Sequence, residues 1–240
     1  MPSSDKSLTE PQSSRRVPHI RTQDLTRAYH RGSETIHALK DLDVAIPRGA
    51  FAVVFGPSGS GKSTLLNLIG GIDRPDKGEV WVDDVRFNDL SEVELDRFRR
   101  NHIGIVFQFN NLLPNLDAKE NVGLALVAQG EPWKSAIASA TLQLERLGLG
   151  DRLSHRPAEL SGGEQQRVAF ARAVVAEPTL VLADEPTGDL DLESATDVLD
   201  LMIALNQDLG VTFVVATHNQ MLRSKASHII ELYDGGLRQT

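Results

Sequence analysis

The sequence predicts an α/β protein with a phosphate-binding-loop core, an antiparallel β subdomain near its start and a helical subdomain inserted in its middle. Three observations carry this. Gly56-Pro57-Ser58-Gly59-Ser60-Gly61-Lys62-Ser63-Thr64 fits G-x-x-x-x-G-K-[ST] and lies between the apolar run Phe51 to Phe55 and the helix-like run Leu65 to Ile69. Further apolar runs at Ile103–Phe107, Leu180–Ala183 and Val211–Ala216 read as buried strands separated by helical stretches. Residues 108–165 are helical in pattern and interrupt that alternation.

The elements follow in order. Residues 1–17 are rich in Ser, Pro, Gln and charge, with no apolar segment of signal-peptide type, and read as a disordered tail before a domain spanning 18–240. From Ile20 to Val44, short apolar alternations broken by turn residues predict antiparallel strands. Tyr29, one of two tyrosines, falls here. A ring upstream of a phosphate loop is placed to stack on a nucleobase, although the residue by itself favours an ordinary sheet aromatic. In the loop, glycines let backbone N–H groups turn inward and the next helix adds its positive end. Lys62 then reaches the terminal phosphates and the Ser63 hydroxyl a Mg²⁺ ion, so the chain binds a nucleoside triphosphate.

After the loop, Glu79–Val82 reads as a strand, and Ser91-Glu92-Val93-Glu94 is a capping box opening a charged helix to about Arg100. Asp117-Ala118-Lys119-Glu120 is a second box, opening a helix through Gln129, and Pro132–Gly148 continues helical. Ser161-Gly162-Gly163-Glu164-Gln165-Gln166-Arg167 precedes a helix expected at Val168–Val175. Adjacent glycines at a helix start leave free N–H groups, a second anion site that one nucleotide in one subunit does not require. Leu180–Ala183 closes on Asp184 and Glu185; carboxylates ending a buried strand are costly unless a cation or hydrogen bonds meet them, so Asp184 is assigned to Mg²⁺. A helix is expected over 193–208, then the strand ending at Thr217-His218, and a terminal hairpin from His228. Taken alone, His218 reads as structural or surface-exposed.

Composition narrows the chemistry. There is no cysteine among the 240 residues, which excludes disulfides, thiolate metal sites and cysteine nucleophiles. The net charge of −8 supplies no basic footprint, so nucleic acid is not expected as a partner. No run approaches a membrane-spanning length, and any membrane role is expected to come through a partner.

Taken in order, these residues resemble the nucleotide-binding domain of an ATP-binding cassette (ABC) ATPase. Leu160 to Arg167 matches the sequence that defines that family, with the phosphate loop upstream and Leu182-Ala183-Asp184-Glu185-Pro186 downstream. The resemblance implies a P-loop NTPase (RecA-like) core. It makes Tyr29 the adenine-stacking aromatic, Gln108 the glutamine that senses Mg²⁺ and the attacking water, Glu185 the general base, and His218 the γ-phosphate contact. Asp191 matches the aspartate of the loop linking two nucleotide sites. Ser161, Gly162, Gly163 and Glu164 would complete the site of a second copy, giving a homodimer with two ATP sandwiched between head-to-tail subunits.

Gly70–Pro75, Phe107–Pro114 and Glu185–Gly188 are similar to the lipoprotein-releasing and macrolide-exporting (LolD-like and MacB-like) branch. That branch implies an integral membrane permease partner of FtsX/MacB-like type and a position peripheral to the inner (plasma) membrane. Asp189 stands where the branch often has Asn, and Asn110 where an aromatic is common; neither is expected to touch the chemistry. The apolar patch Phe109–Leu116 reads equally as part of a groove for the permease or as an internally packed loop. A soluble ABC ATPase of a non-transport machine, and a cell-division regulator with an FtsX-like partner, are the competing readings; one cassette and no heptad run weigh against the first.

Overall fold

The computed structural model describes residues 17–32 and 34–238, so the tail expected over 1–17 lies outside the described residues apart from Val17. Two sheets organise the chain. The first is antiparallel, in the order β2-β1-β4-β5, from β1 (Ile20–Arg31), β2 (Glu34–Ile46), β4 (Lys77–Val82) and β5 (Val85–Arg86). The second has six strands in the order β10-β9-β3-β8-β7-β6. Its members are β3 (Phe51–Phe55), β6 (Ile103–Val106), β7 (Leu180–Asp184), β8 (Thr212–Thr217), β9 (His228–Tyr233) and β10 (Gly236–Leu237). Every pairing from β9 to β6 is parallel, and β10 folds back on β9 as the expected hairpin.

The parallel strands are continuous apolar runs because both faces are covered. Side chains alternate between faces. Ala52, Val54, Leu182, Val214 and Ala216 join α1 (Lys62–Ile69) and the antiparallel sheet in one core. Val53, Val181, Ala183, Phe213 and Val215 pack on α5 (Gly162–Val174) and α6 (Leu192–Leu209) in another. A third core joins α3 (Ala118–Gln129), α4 (Trp133–Arg146) and α5 through Val122, Ala140, Leu144, Val168 and Ala171. Gly104 of β6 lets α5 approach closely, since a Cβ there would sit 2.1 Å from the Ala173 carbonyl oxygen. The remaining helices are α2 (Glu92–His102) and α7 (Gln220–Lys225). Both expected capping boxes form, on α2 and α3.

One expectation is corrected. The helix expected from Val168 begins at Gly162, with Ser161 as its N-cap and Glu164 completing a third capping box. The glycines belong to the first turn because the box satisfies the N–H groups that their low helix propensity would otherwise leave fraying.

A buried polar joint ties the antiparallel sheet to the core. His19 Nδ1 lies 2.5 Å from Thr212 Oγ1 and its Nε2 3.1 Å from Asp83 Oδ1. Thr179 donates to Asp83 Oδ2 at 2.6 Å, and Arg48 pairs with Asp83. Burial lowers the His19 pKa and outweighs the opposing pull of Asp83. In the unfolded chain this histidine takes up a proton as the pH falls beneath about 6.5, while the folded protein still holds it neutral. The stability from its neutral form is then lost progressively towards the lower folded-state value. We expect the thermal midpoint to fall between pH 7 and 5.5, and His19→Gln to flatten that slope; an unchanged slope would remove His19 as its source.

Candidate active site

The phosphate loop, Gln108, Asp184, Glu185 and His218 stand at the carboxyl ends of parallel strands, where open α/β sheets place their ligand crevice. The loop Gly56–Gly61 follows β3, Gln108 follows β6, Asp184 and Glu185 close β7, and Thr217-His218 closes β8. Strand order brings them together, because β8 lies between β3 and β7 and pairs Phe55 with Thr217 and Ala216 with Asp184. Tyr29 comes from the other sheet.

Most of these groups line one cleft of about 460 Å³, and Asp184 stands behind its wall, next to Glu185 and bonded to the Ser63 hydroxyl. Its walls include Tyr29, Ser58, Gly59, Gly61, Lys62, Ser63, Thr64, Gln108, Glu185 and His218. The buried Lys62 ammonium donates to the carbonyls of Gly56 and Pro57 at 3.0 and 3.1 Å, closing the loop on itself. It also lies 3.6 Å from Glu185 Oε1. Glu185 is fixed from three sides: Thr217 Oγ1 donates to Oε2 at 3.0 Å, His218 Nδ1 is 3.0 Å from Oε1, and its own N–H donates to the Ala216 carbonyl at 2.9 Å. Its φ of 44° is a left-handed conformation uncommon for a non-glycine residue, and the three bonds hold it there.

Asp184 is the neighbouring carboxylate. Burial raises its pKa, the Ser63 hydroxyl bond and Lys62 oppose this, and the Glu185 charge adds to the rise. Its Oδ1 is buried without a hydrogen-bond partner. An orphaned carboxylate oxygen beside a serine hydroxyl and a second carboxylate suits a hard cation that takes oxygen ligands and completes its shell from phosphate and water.

Gly61 is the N-cap of α1 at φ 100°, and a Cβ there would meet the Ala38 carbonyl oxygen at 2.3 Å. Both facts exclude a side chain, so Gly61→Ala is expected to cost about 2–4 kcal/mol of stability and to weaken nucleotide binding. Denaturant unfolding and ATP titration check this, and wild-type values in both would contradict it.

The expected residues Ser161, Gly162, Gly163 and Glu164 do not line the cleft. They stand beside the start of α6: a Cβ on Gly162 would lie 3.2 Å from Leu190, and one on Gly163 3.6 Å from Ser194. Asp191 is the N-cap of α6, accepting from Ser194 N–H at 2.9 Å and Ser194 Oγ at 2.8 Å. Sequence reasoning missed the wall formed by Ile36, His37, Ala38 and Asp234. Nothing in an alternating strand or a hairpin turn signals proximity to a distant loop. Asp189, set aside as remote from the chemistry, also lines the cleft; its place two residues before Asp191 was the available signal.

A strand-loop-helix phosphate cradle, a paired acid and histidine at adjacent strand ends, and an inserted helical unit define an ATP-hydrolysing cassette. The ABC transporter family profile matches residues 39–188, and the chain belongs to that family as an ATP-hydrolysing subunit. Among its relatives is the lipoprotein-releasing system ATP-binding protein LolD of Legionella pneumophila (strain Lens), 43% identical over 218 residues, covering 91% of this chain and 96% of the relative. LolD of Coxiella burnetii is 43% identical over 224 residues, covering 92% and 96%. Among solved structures, a dimeric post-hydrolysis state of the ATP-binding cassette MJ0796 bound to ADP and Pi superposes with a TM-score of 0.85. It is 41% identical, covering 92% of this chain and 97% of that one. CbiO1 from Clostridium perfringens, part of the ABC transporter complex cbiONQ, superposes at 0.82 with 27% identity, covering 93% and 88%.

Proposed function

We propose that this chain powers a lipoprotein-releasing transporter, working as a head-to-tail homodimer docked on an FtsX/MacB-like membrane permease. The observation that carries the dimer is the separation of two glycine-rich helix starts. Lys62 opens one inside the cleft, and Ser161–Glu164 open the other outside it. A second copy, turned about a two-fold axis, would present the outer start to the triphosphate and complete each pocket. The dimeric MJ0796 cassette and the LolD relatives support the reading.

The residues divide the work as phosphoryl transfer to water requires, which is positioning and charge neutralisation. Gly56, Pro57, Ser58, Gly59, Ser60, Gly61 and Thr64 cradle the phosphates, and Lys62 leaves its loop carbonyls for the terminal ones. Tyr29 stacks on the base. Ser63, Gln108 and Asp184 would hold Mg²⁺, which supplies charge neutralisation across the phosphates. Glu185 accepts the proton of the attacking water, and His218 holds the γ-phosphate and orients Glu185. Asp191 fixes the start of α6, against which Gly162 and Gly163 pack. We assign 18–240 to the ATPase domain and about 108–165 to its helical insertion.

No helix among the described residues is long and apolar enough to cross a membrane, so attachment to the inner membrane would come through the permease. A groove of about 410 Å³ between α2, β6 and α3, lined by Ile72, Arg100, Ile105, Phe107 and Arg172, suits a short amphipathic helix of that partner. Beside it Phe109 is 76% exposed, while Arg172 pins the patch by donating to the carbonyls of Asn110 and Asn111 at 2.6 and 2.8 Å. The test is co-purification from detergent with the neighbouring permease and release of a lipoprotein to a carrier by the reconstituted complex. Phe109→Ala is expected to weaken the complex about tenfold with ATP binding intact. A chain that recovers no permease, or a complex that releases no lipoprotein, would refute the assignment.

A further inference from the structure

The Tyr29 ring is held from behind by a charged bracket. Arg27 forks onto Asp73, with Nε to Oδ2 and Nη2 to Oδ1 both at 2.9 Å, and its Nη1 donates to Asp76 Oδ1 at 2.8 Å. The guanidinium carbon lies 4.9 Å from the Tyr29 ring centroid, over its face. The Tyr29 hydroxyl donates to Asp73 Oδ2 at 3.0 Å, and Asp76 Oδ2 accepts the Ala28 backbone N–H at 2.7 Å. Asp73 is anchored in turn, because its N–H donates at 3.2 Å to the Asn67 carbonyl near the end of α1. The ring thus touches the guanidinium and lines the nucleotide cleft, and its hydroxyl is tethered to the helix that opens with Lys62. Bulges in β1 on either side of Leu25 and Arg27 aim these side chains.

We propose that Arg27, Asp73 and Asp76 are positioning residues for the nucleobase, locking Tyr29 at a set place relative to the phosphate loop. A fork of two parallel N–H···O bonds fixes orientation as well as distance, and a ring whose rotamer is already fixed loses less freedom when a base stacks on it. The guanidinium occupies one face, which leaves the other for the base. This inference rests on the reading of Tyr29 as the base-stacking residue.

The experiment compares Mg-ATP with inorganic tripolyphosphate by calorimetry on the full chain. Tyr29→Ala should weaken ATP by roughly tenfold or more. Arg27→Met and Asp73→Asn should each weaken it about three- to tenfold, with the loss in KM rather than kcat. None should change tripolyphosphate affinity, and Arg27→Met should add nothing in a Tyr29→Ala background. If Tyr29→Ala lowers ATP affinity but Arg27→Met and Asp73→Asn do not, the bracket has no positioning role. Equal losses for ATP and tripolyphosphate would make it a structural brace only. An ATP affinity indifferent to Tyr29→Ala would overturn the base-stacking reading and the inference with it.

Discussion

Glu185→Gln is expected to bind ATP as the parent does, to lose at least about 100-fold in steady-state hydrolysis, and to accumulate as an ATP-bound dimer. The substitution preserves shape, and the amide oxygen can still accept from Thr217 as Oε2 does at 3.0 Å. It cannot take a proton from water, and it removes the charge now 3.6 Å from the Lys62 ammonium. With that carboxylate gone the triphosphate meets less repulsion, so binding survives while chemistry stops. The closed dimer then has no hydrolysis step to reopen it, which shifts its population upward. Size-exclusion chromatography with ATP and a phosphate-release assay read both arms. Full hydrolysis by the variant would remove Glu185 from the reaction.

Gly163→Asp separates the outer helix start from the fold of its own protomer. A Cβ at Gly163 meets only Ser194, at 3.6 Å, which is ordinary contact. A carboxylate in the first turn of α5 is also favourable to that helix. The monomer should therefore fold and bind ATP normally. The new charge would face the triphosphate of the other copy, and like charges brought together at an interface cost several kcal/mol. ATP-dependent dimerisation and hydrolysis are expected to disappear together, by about 100-fold or more. Ser161→Ala is less clean, because Ser161 caps α5 by accepting from Glu164 N–H at 3.3 Å and its loss costs about 1 kcal/mol of helix. A Gly163→Asp protein that still dimerises on ATP would place the second anion-binding start outside the active assembly.

The sequence made most of the fold and most of the site legible. The phosphate loop, the two expected capping boxes and the β-branched strands are local patterns, in which the residues that define an element also stabilise it. The same locality misled at α5: two glycines argue against helix, and the start at Gly162 depends on a capping box that the motif itself supplies. Asp189 reaches the cleft for a different reason: the turn after β7 folds back over it, and the one local hint is its place two residues before Asp191.

By itself the sequence determined which chemical groups exist and which strand or loop carries each, because loop length, hydrophobic period and residue type are written within a few positions of one another. Only the tertiary structure decided that β8 lies between β3 and β7, bringing Lys62, Glu185 and His218 within reach. It alone brought Tyr29 to the cleft from a second sheet, braced by carboxylates more than forty positions away. Strand order and cross-sheet contact are set by burial between segments distant in the chain, and no local pattern encodes a non-local pairing.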